Sequence, residues 1–259
     1  MVTLQDEMAG AEPPAISTLT TRVAPEVMLD QVRSSLSRDL PSVKLCKPHG
    51  ATLCVAGGGP SLSDTYRELS GYIGAVNGSL AFLLDKGVVP DACAVLDPGP
   101  QMADIVPAEP RVRYFIASVC HPALFDKLIS AGCAVHIWHP SGQPGLREFL
   151  DETGSEWLMI GGGTTVGVRW LDLGYVCGFR SFDLHGLDSS FRGAATHAYP
   201  DAASYDTMMV DGYRTKPAFL AQVHDFFAVM HRFSCGDNPI NVRMFGDGLL
   251  QGRWRTKNS

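Results

Sequence analysis

The chain has 259 residues, 45% hydrophobic and 19% charged, which is enough apolar content for a full core and excludes an intrinsically disordered chain. Its 21 Lys and Arg against 27 Asp and Glu give a formal charge of −6 with no basic cluster, so duplex nucleic acid and anionic membrane surfaces are poor partners. The seven cysteines are odd in number, form no C-x-x-C pair and fall in part inside apolar runs, which reads as buried reduced thiols of a cytoplasmic protein.

Residues 1–22 are polar and proline-containing and are expected to form a loose arm. Met1 to Ala11 carries Asp6 and Glu7 and no apolar segment of the secretory kind. Val27, Leu29, Val32 and Leu36 predict a short amphipathic helix, so that residues 1–50 read as an arm with one helix. From residue 51 to about 250 the pattern is that of one domain. Apolar runs at 51–56, 72–76, 92–96, 112–117, 134–138 and 181–185 read as buried strands. Helical patterns at 62–69, 80–86, 122–131, 145–151 and 164–177 lie between them. This alternation predicts an α/β, Rossmann-like fold with a mainly parallel sheet and helices on both faces.

In the segment 164–177, Val166, Trp170, Leu173 and Cys177 line one helical face and Val168, Leu171 and Tyr175 widen it, so this helix is expected to be largely buried. The longest uncharged stretch, 128–146, contains Pro140 and Pro144 and is no membrane span. Residues 189–205 read as a long loop that could act as a lid. Residues 216–231 read as a second strong helix, 240–245 as a last strand, and 251–259 as a polar tail.

Chemistry is expected at the ends of the strands. Gly57, Gly58, Gly59, Pro60 and Ser61 follow the first strand and open a helix, a combination whose free amides and helix dipole favour phosphate. The run lacks the Lys-Ser/Thr of a P-loop and the third glycine of a dinucleotide turn. Gly161, Gly162, Gly163, Thr164 and Thr165 repeat the arrangement before the buried helix. Two such turns suit the two ends of one nucleotide. Asn77, after the second strand, offers a donor and an acceptor for a base or ribose edge. Asp97, after the third strand, is a candidate ligand for Mg²⁺ beside phosphates. Asp188 and His121 are candidate catalytic groups, with His197 in the loop beyond. Arg169 and Arg192 are candidate neutralisers of phosphate charge. No Gly-x-Ser-x-Gly nucleophile turn is present.

Taken in order, the segments 57–62, 77–79, 87–91, Leu96-Asp97, 162–169, 184–188 and 247–250 resemble the domain of unknown function 115, the 6-hydroxymethylpterin diphosphokinase MptE-like family, over roughly residues 50–250. The resemblance implies a nucleotide-dependent transferase. One reading is Mg²⁺-assisted transfer of diphosphate from ATP to a hydroxyl acceptor. Another is transfer from a CMP- or other nucleotide-activated sugar, as in the more distantly similar flagellin nonulosonate and CMP-sialic acid transferases. A third is a non-catalytic nucleotide-binding module. Carried over by position, 57–61 and 162–165 would hold the nucleotide, Asn77 would touch base or ribose, and Asp97 would face metal or phosphates. The expected partners are a small-molecule nucleotide and its acceptor, in a cytoplasmic protein whose self-association into a homo-oligomer stays open.

Overall fold

The computed structural model describes residues 23–199, 206–236 and 239–258. The expected arm over 1–22 and the part of the long loop at 200–205 lie outside the described residues. In chain order the elements are α1 (Pro25–Leu36), β1 (Thr52–Ala56), α2 (Leu62–Thr65), a 3-10 turn (Tyr66–Glu68), β2 (Tyr72–Val76), α3 (Ser79–Asp85), β3 (Ala92–Val95), α4 (Met102–Ile105), β4 (Arg113–Ala117), α5 (Pro122–Ser130), β5 (Ala134–Pro140) and α6 (Leu146–Glu152). They continue with β6 (Met159–Ile160), α7 (Val166–Val176), β7 (Ser181–His185), β8 (Met208–Val210), β9 (Tyr213–Thr215), α8 (Pro217–Ser234), β10 (Asn241–Met244) and α9 (Leu249–Asn258).

Eight strands form one sheet in the order β10-β7-β1-β2-β3-β4-β5-β6, and every neighbouring pair is parallel. Both faces are covered. Leu53, Cys54, Val55 and Ala56 of β1 point alternately to opposite faces, and each is fully buried. The fold is therefore the α/β, Rossmann-like one.

The expected buried helix is α7, and it is buried over all but its last two residues. Its Trp170 indole donates to the Ala75 carbonyl at 3.0 Å. The ring fits because Gly74 has no side chain: a methyl there would stand 3.1 Å from it.

Three expectations are corrected. In α1 the buried face is Met28, Gln31, Val32 and Ser35, while Val27 is exposed. The helix expected over 62–69 is a four-residue helix followed by the 3-10 turn. Residues 251–259 are not a free tail. They continue α9 as far as Asn258, anchored by the fully buried Leu249, Leu250 and Gln251. The β8–β9 hairpin turns at Asp211 and Gly212, both at positive φ, as an Asp-Gly two-residue turn requires.

Candidate functional site

Strand order reverses between β7 and β1: from β1 the chain steps outward to β6, then returns to place β7 on the other side. Open parallel sheets bind ligands at such a point, beyond the C-terminal ends of the strands. A cavity of about 180 Å³ lies there. Its walls come from Gly58 and Gly59 after β1, Val76 and Asn77 at the end of β2, Thr165 to Gly167 at the start of α7, and Gly186 to Ser190 after β7. Phe219 and Gln222 of α8 and the loop residues Thr196, His197 and Tyr199 complete it. A wider concavity of about 360 Å³ lies at the opposite end of the sheet, beside Tyr72, Asp91 and Arg113, where the strands begin.

The first glycine turn is built differently from an open phosphate cradle. The Gly57 amide donates to the His185 carbonyl at 2.8 Å and the Gly59 amide to the Gly186 carbonyl at 2.7 Å. The Ser61 amide donates to Asp188 Oδ2 at 2.6 Å. Pro60 has no amide proton, and α2 is a single turn. Gly57 and Gly59 are glycine because the turn after β7 packs directly on them: a side chain at Gly57 would collide with the Gly186 carbonyl, and one at Gly59 would stand 2.7 Å from Asp188. Gly58 alone of the three turns its open face to the rings of Tyr199 and His197.

The second segment reaches the same cavity only at its end. The Thr164 amide and hydroxyl both donate to Asp225 Oδ2 at 2.7 Å, and Gly162 and Gly163, at φ +96° and +82°, pack on Arg169 and Asp225. Thr165 is the N-cap of α7, yet its hydroxyl makes no cap bond and is buried without a partner. The first turn of α7 therefore presents uncapped amides at Val166 and Gly167 to the cavity, the arrangement that favours an anion.

Further polar atoms here lack partners. Asn77 Oδ1 and Ser189 Oγ are buried with none. Both residues hold a positive φ, +44° and +53°, and Ser189 pays for this without the side-chain amide that eases Asn into that region. Gln222, 7% exposed, contributes to the wall from α8. Unpaired buried polar groups and non-glycine residues at positive φ gathered in one cavity make it the candidate ligand site.

Asp188 lines the cavity but its carboxylate is committed. Besides the Ser61 amide it accepts the Ser61 hydroxyl, and Gln251 Nε2 donates to Oδ1 at 3.1 Å. Burial raises its pKa above the ordinary carboxylate value, and the bonds from Ser61 oppose that rise. This arrangement makes it a brace between the turns after β1 and β7 rather than a free base. His121 lies outside the cavity lining and caps α5, its Nδ1 accepting from the Ala123 amide at 3.2 Å.

Asp97 lies outside the lining as well. Its Oδ1 accepts from the Gly99 amide at 2.8 Å, which leaves Oδ2 without a protein partner. Among the described residues no three His, Cys, Asp or Glu side chains are grouped to hold a metal ion. One half-engaged carboxylate does not make a resident Mg²⁺ centre. The two arginines are also occupied. Arg169 is buried and donates to the carbonyls of Ile160 at 2.7 Å and Ser141 at 3.0 Å, and Arg192 pairs with Asp64 at 2.5 Å and Asp247 at 2.7 Å.

Sequence reasoning thus placed Gly58, Gly59, Asn77, Thr165 and Asp188 at one cavity and missed Ser189, Phe219 and Gln222. The chain matches the 6-hydroxymethylpterin diphosphokinase MptE-like family over residues 28–194. No curated protein matches it. Among solved structures it is similar to the MAf glycosyltransferase from Magnetospirillum magneticum AMB-1, with a TM-score of 0.64 and 14% identity. That likeness covers 93% of this chain and 42% of the other, so it reports a shared fold over less than half of the larger protein.

Proposed function

We propose that this chain, which belongs to the 6-hydroxymethylpterin diphosphokinase MptE-like family, is a nucleotide-dependent transferase whose donor binds in the cavity between β1, β2 and β7. The observation that carries the reading is the convergence of uncapped α7 amides with the unpartnered Asn77, Thr165 and Ser189 side-chain oxygens. The α7 amides receive a phosphate, and the neutral side chains receive the uncharged part of the donor. In this reading His197, which is in the lining, takes the proton of an acceptor hydroxyl.

Of the finer readings, transfer from a nucleotide-activated sugar is the better supported. Among the described residues the lining carries no Lys or Arg, and its one carboxylate is hydrogen-bonded to Ser61 and Gln251. A triphosphate requires more positive charge than one helix terminus supplies. Diphosphate transfer from ATP is favoured by the free Oδ2 of Asp97 at the neighbouring strand end, which would meet Mg²⁺ carried in by the phosphates.

The test is a thermal-shift screen of nucleoside monophosphates, nucleotide sugars and ATP, each with and without Mg²⁺, followed by product analysis with the ligands that stabilise. Stabilisation by a nucleotide or its sugar without metal is expected. Stabilisation by ATP and Mg²⁺ alone would move the assignment to diphosphate transfer, and a melting temperature unmoved by every nucleotide would end both.

A further inference from the structure

The sheet has a second end, and the concavity of about 360 Å³ lies there, where β2, β3, β4 and β5 begin. Its volume falls within the range of small-molecule pockets. Tyr72 in its wall and Val76 in the wall of the other cavity are the first and last residues of β2, so about 13 Å of strand separates the two places.

The wall holds two arginines with different commitments. Arg111 donates from Nε and Nη2 to the Glu109 carboxylate at 2.8 and 2.9 Å. Arg113, the first residue of β4, pairs with no Asp or Glu among the described residues. The sheet fixes its backbone: its amide donates to the Asp91 carbonyl at 3.0 Å, and the register sets it between Ala92 and Ala134. Its charge acts on two neighbours. Burial raises the Tyr72 pKa and Arg113 opposes that rise, whereas burial lowers the His136 pKa and Arg113 adds to the fall. The Tyr72 ring is held against Phe179, with centroids 5.3 Å apart. Val112 and Ala134 give the same wall an apolar component.

A guanidinium fork matches a carboxylate through two parallel N–H···O bonds. Asp91 stands in the same wall with Oδ2 on the Ile73 amide at 2.7 Å, and its charge disfavours a ligand bearing two negative charges. We propose that the concavity where the strands begin is a second ligand site, for a small organic carboxylate of single charge, in which Arg113 binds the carboxylate and Tyr72 contributes its hydroxyl and ring.

The experiment is ligand-observed saturation-transfer NMR with titration of the full chain, using benzoate, benzyl alcohol and inorganic phosphate, repeated on Arg113→Gln, Tyr72→Phe and Ala134→Trp. Benzoate is expected to bind at millimolar concentration or below, and benzyl alcohol, its uncharged counterpart, at least about tenfold more weakly, the scale of hydrogen bonds to a charged group. Arg113→Gln should weaken benzoate by about the same factor and leave benzyl alcohol within about twofold. Tyr72→Phe, which keeps the ring, should weaken benzoate about threefold to tenfold. Ala134→Trp fills the concavity and should abolish binding. Arg113 and Ala134 are exposed, so both variants should keep the wild-type melting temperature. Should Arg113→Gln fail to fold, Arg113→Lys keeps the charge, loses the fork and should weaken benzoate about threefold or more.

Equal affinities for benzoate and benzyl alcohol would overturn the proposal. So would a benzoate affinity that Arg113→Gln or Ala134→Trp leaves unchanged, since the ligand would then sit elsewhere. Inorganic phosphate, tested at a pH where it carries two charges, is expected to bind more weakly than benzoate. Tighter phosphate binding that Arg113→Gln removes would overturn the carboxylate assignment in favour of phosphate. A wild-type chain that takes up neither anion at millimolar concentration overturns the site itself. None of these outcomes bears on the nucleotide reading, which concerns the other end of the strands.

Discussion

Asp188 holds Ser61 at both ends of the serine: one carboxylate oxygen takes its amide at 2.6 Å and the other takes its hydroxyl. The pairing joins the turn after β7 to the turn after β1, and Gln251 of α9 bonds the same carboxylate. Three elements distant in sequence are thereby locked at the mouth of the cavity. Asp188→Ala would leave the buried Ser61 amide and hydroxyl without their acceptor, at about 1–3 kcal/mol each, while Gln251 keeps the Phe245 carbonyl. A loss of about 3–5 kcal/mol in urea unfolding is expected. Asp188→Asn retains an acceptor and should cost about 1–2 kcal/mol. Were Asp188 instead the base of the reaction, the asparagine variant would be stable and turn over at least a hundredfold more slowly.

The acid side of the stability curve should be set by histidines. His185 is fully buried with both ring nitrogens unpartnered, stacked on Phe245 with ring centroids 4.1 Å apart. His139 is buried against Trp157 with Nδ1 on the Ser118 hydroxyl. Burial lowers the pKa of each from 6.5 to about 4. Unfolded histidine binds a proton below 6.5 and the folded residues do not until about 4, so their contribution is present above 6.5 and is lost as pH falls through that window. Each contributes a slope of about 1.4 kcal/mol per pH unit there. His185→Leu is expected to remove about half of the combined slope, read from urea midpoints between pH 6.5 and 4.5. An unchanged slope would mean that the imidazole is protonated inside the fold.

The parallel sheet was legible because strands buried on both faces read as continuous apolar runs, and 72–76 and 181–185 match β2 and β7 to the residue. Other features carried weaker signals. β6 has two residues and no periodicity to read. α9 is nearly all polar beyond Leu249 and Leu250, so its sequence reads as a tail, although Gln251 and Trp254 also join it to the fold. The β8–β9 hairpin did carry its signal, Asp211-Gly212 between Met208-Met209-Val210 and Tyr213-Arg214-Thr215, which loop composition nearby obscured.

At the site, the glycines of 57–59 were visible but their purpose was ambiguous, since a glycine that admits a ligand and one that admits another turn look alike in sequence. The packing of Gly186 on Gly57 resolves it. Gln222 left a readable trace: it is a polar residue within the apolar stripe of Phe219, Val223 and Phe226. Ser189 left none, because its positive φ is imposed by tertiary contacts such as the Thr215 hydroxyl on its carbonyl at 2.7 Å.

Thr165 tests the anion end of the cavity. Its hydroxyl is buried and unpaired, and it neither caps α7 nor supports a neighbour. Thr165→Val keeps the shape and deletes the hydroxyl, so the melting temperature should stay within about 2 °C, less than the shift that 1 kcal/mol produces in a chain of this size. Nucleotide affinity, measured by calorimetry, should fall about threefold to tenfold, the worth of one hydrogen bond of about 1 kcal/mol. A large loss of stability with unchanged affinity would assign the hydroxyl to the fold.

Gly57 and Gly58 separate packing from binding at neighbouring positions. A methyl at Gly57 would strike the Gly186 carbonyl and come within 2.7 Å of Leu187, and a carbonyl fixed by its own turn cannot withdraw. Gly57→Ala is expected to cost about 3 kcal/mol or more and to lower the melting temperature by about 6–12 °C. A methyl at Gly58 meets the Tyr199 hydroxyl at 2.7 Å, the far end of a side chain that can swing aside. Gly58→Ala should therefore melt within about 3 °C of the wild type. Because Gly58 faces the cavity, the same methyl narrows the space beside the α7 amides, and nucleotide affinity should fall at least about fivefold, a difference of ~1 kcal/mol. Differential scanning fluorimetry and calorimetric titration on the two variants decide the matter: equal melting temperatures would refute the packing role of Gly57, and full affinity in Gly58→Ala would place the ligand elsewhere.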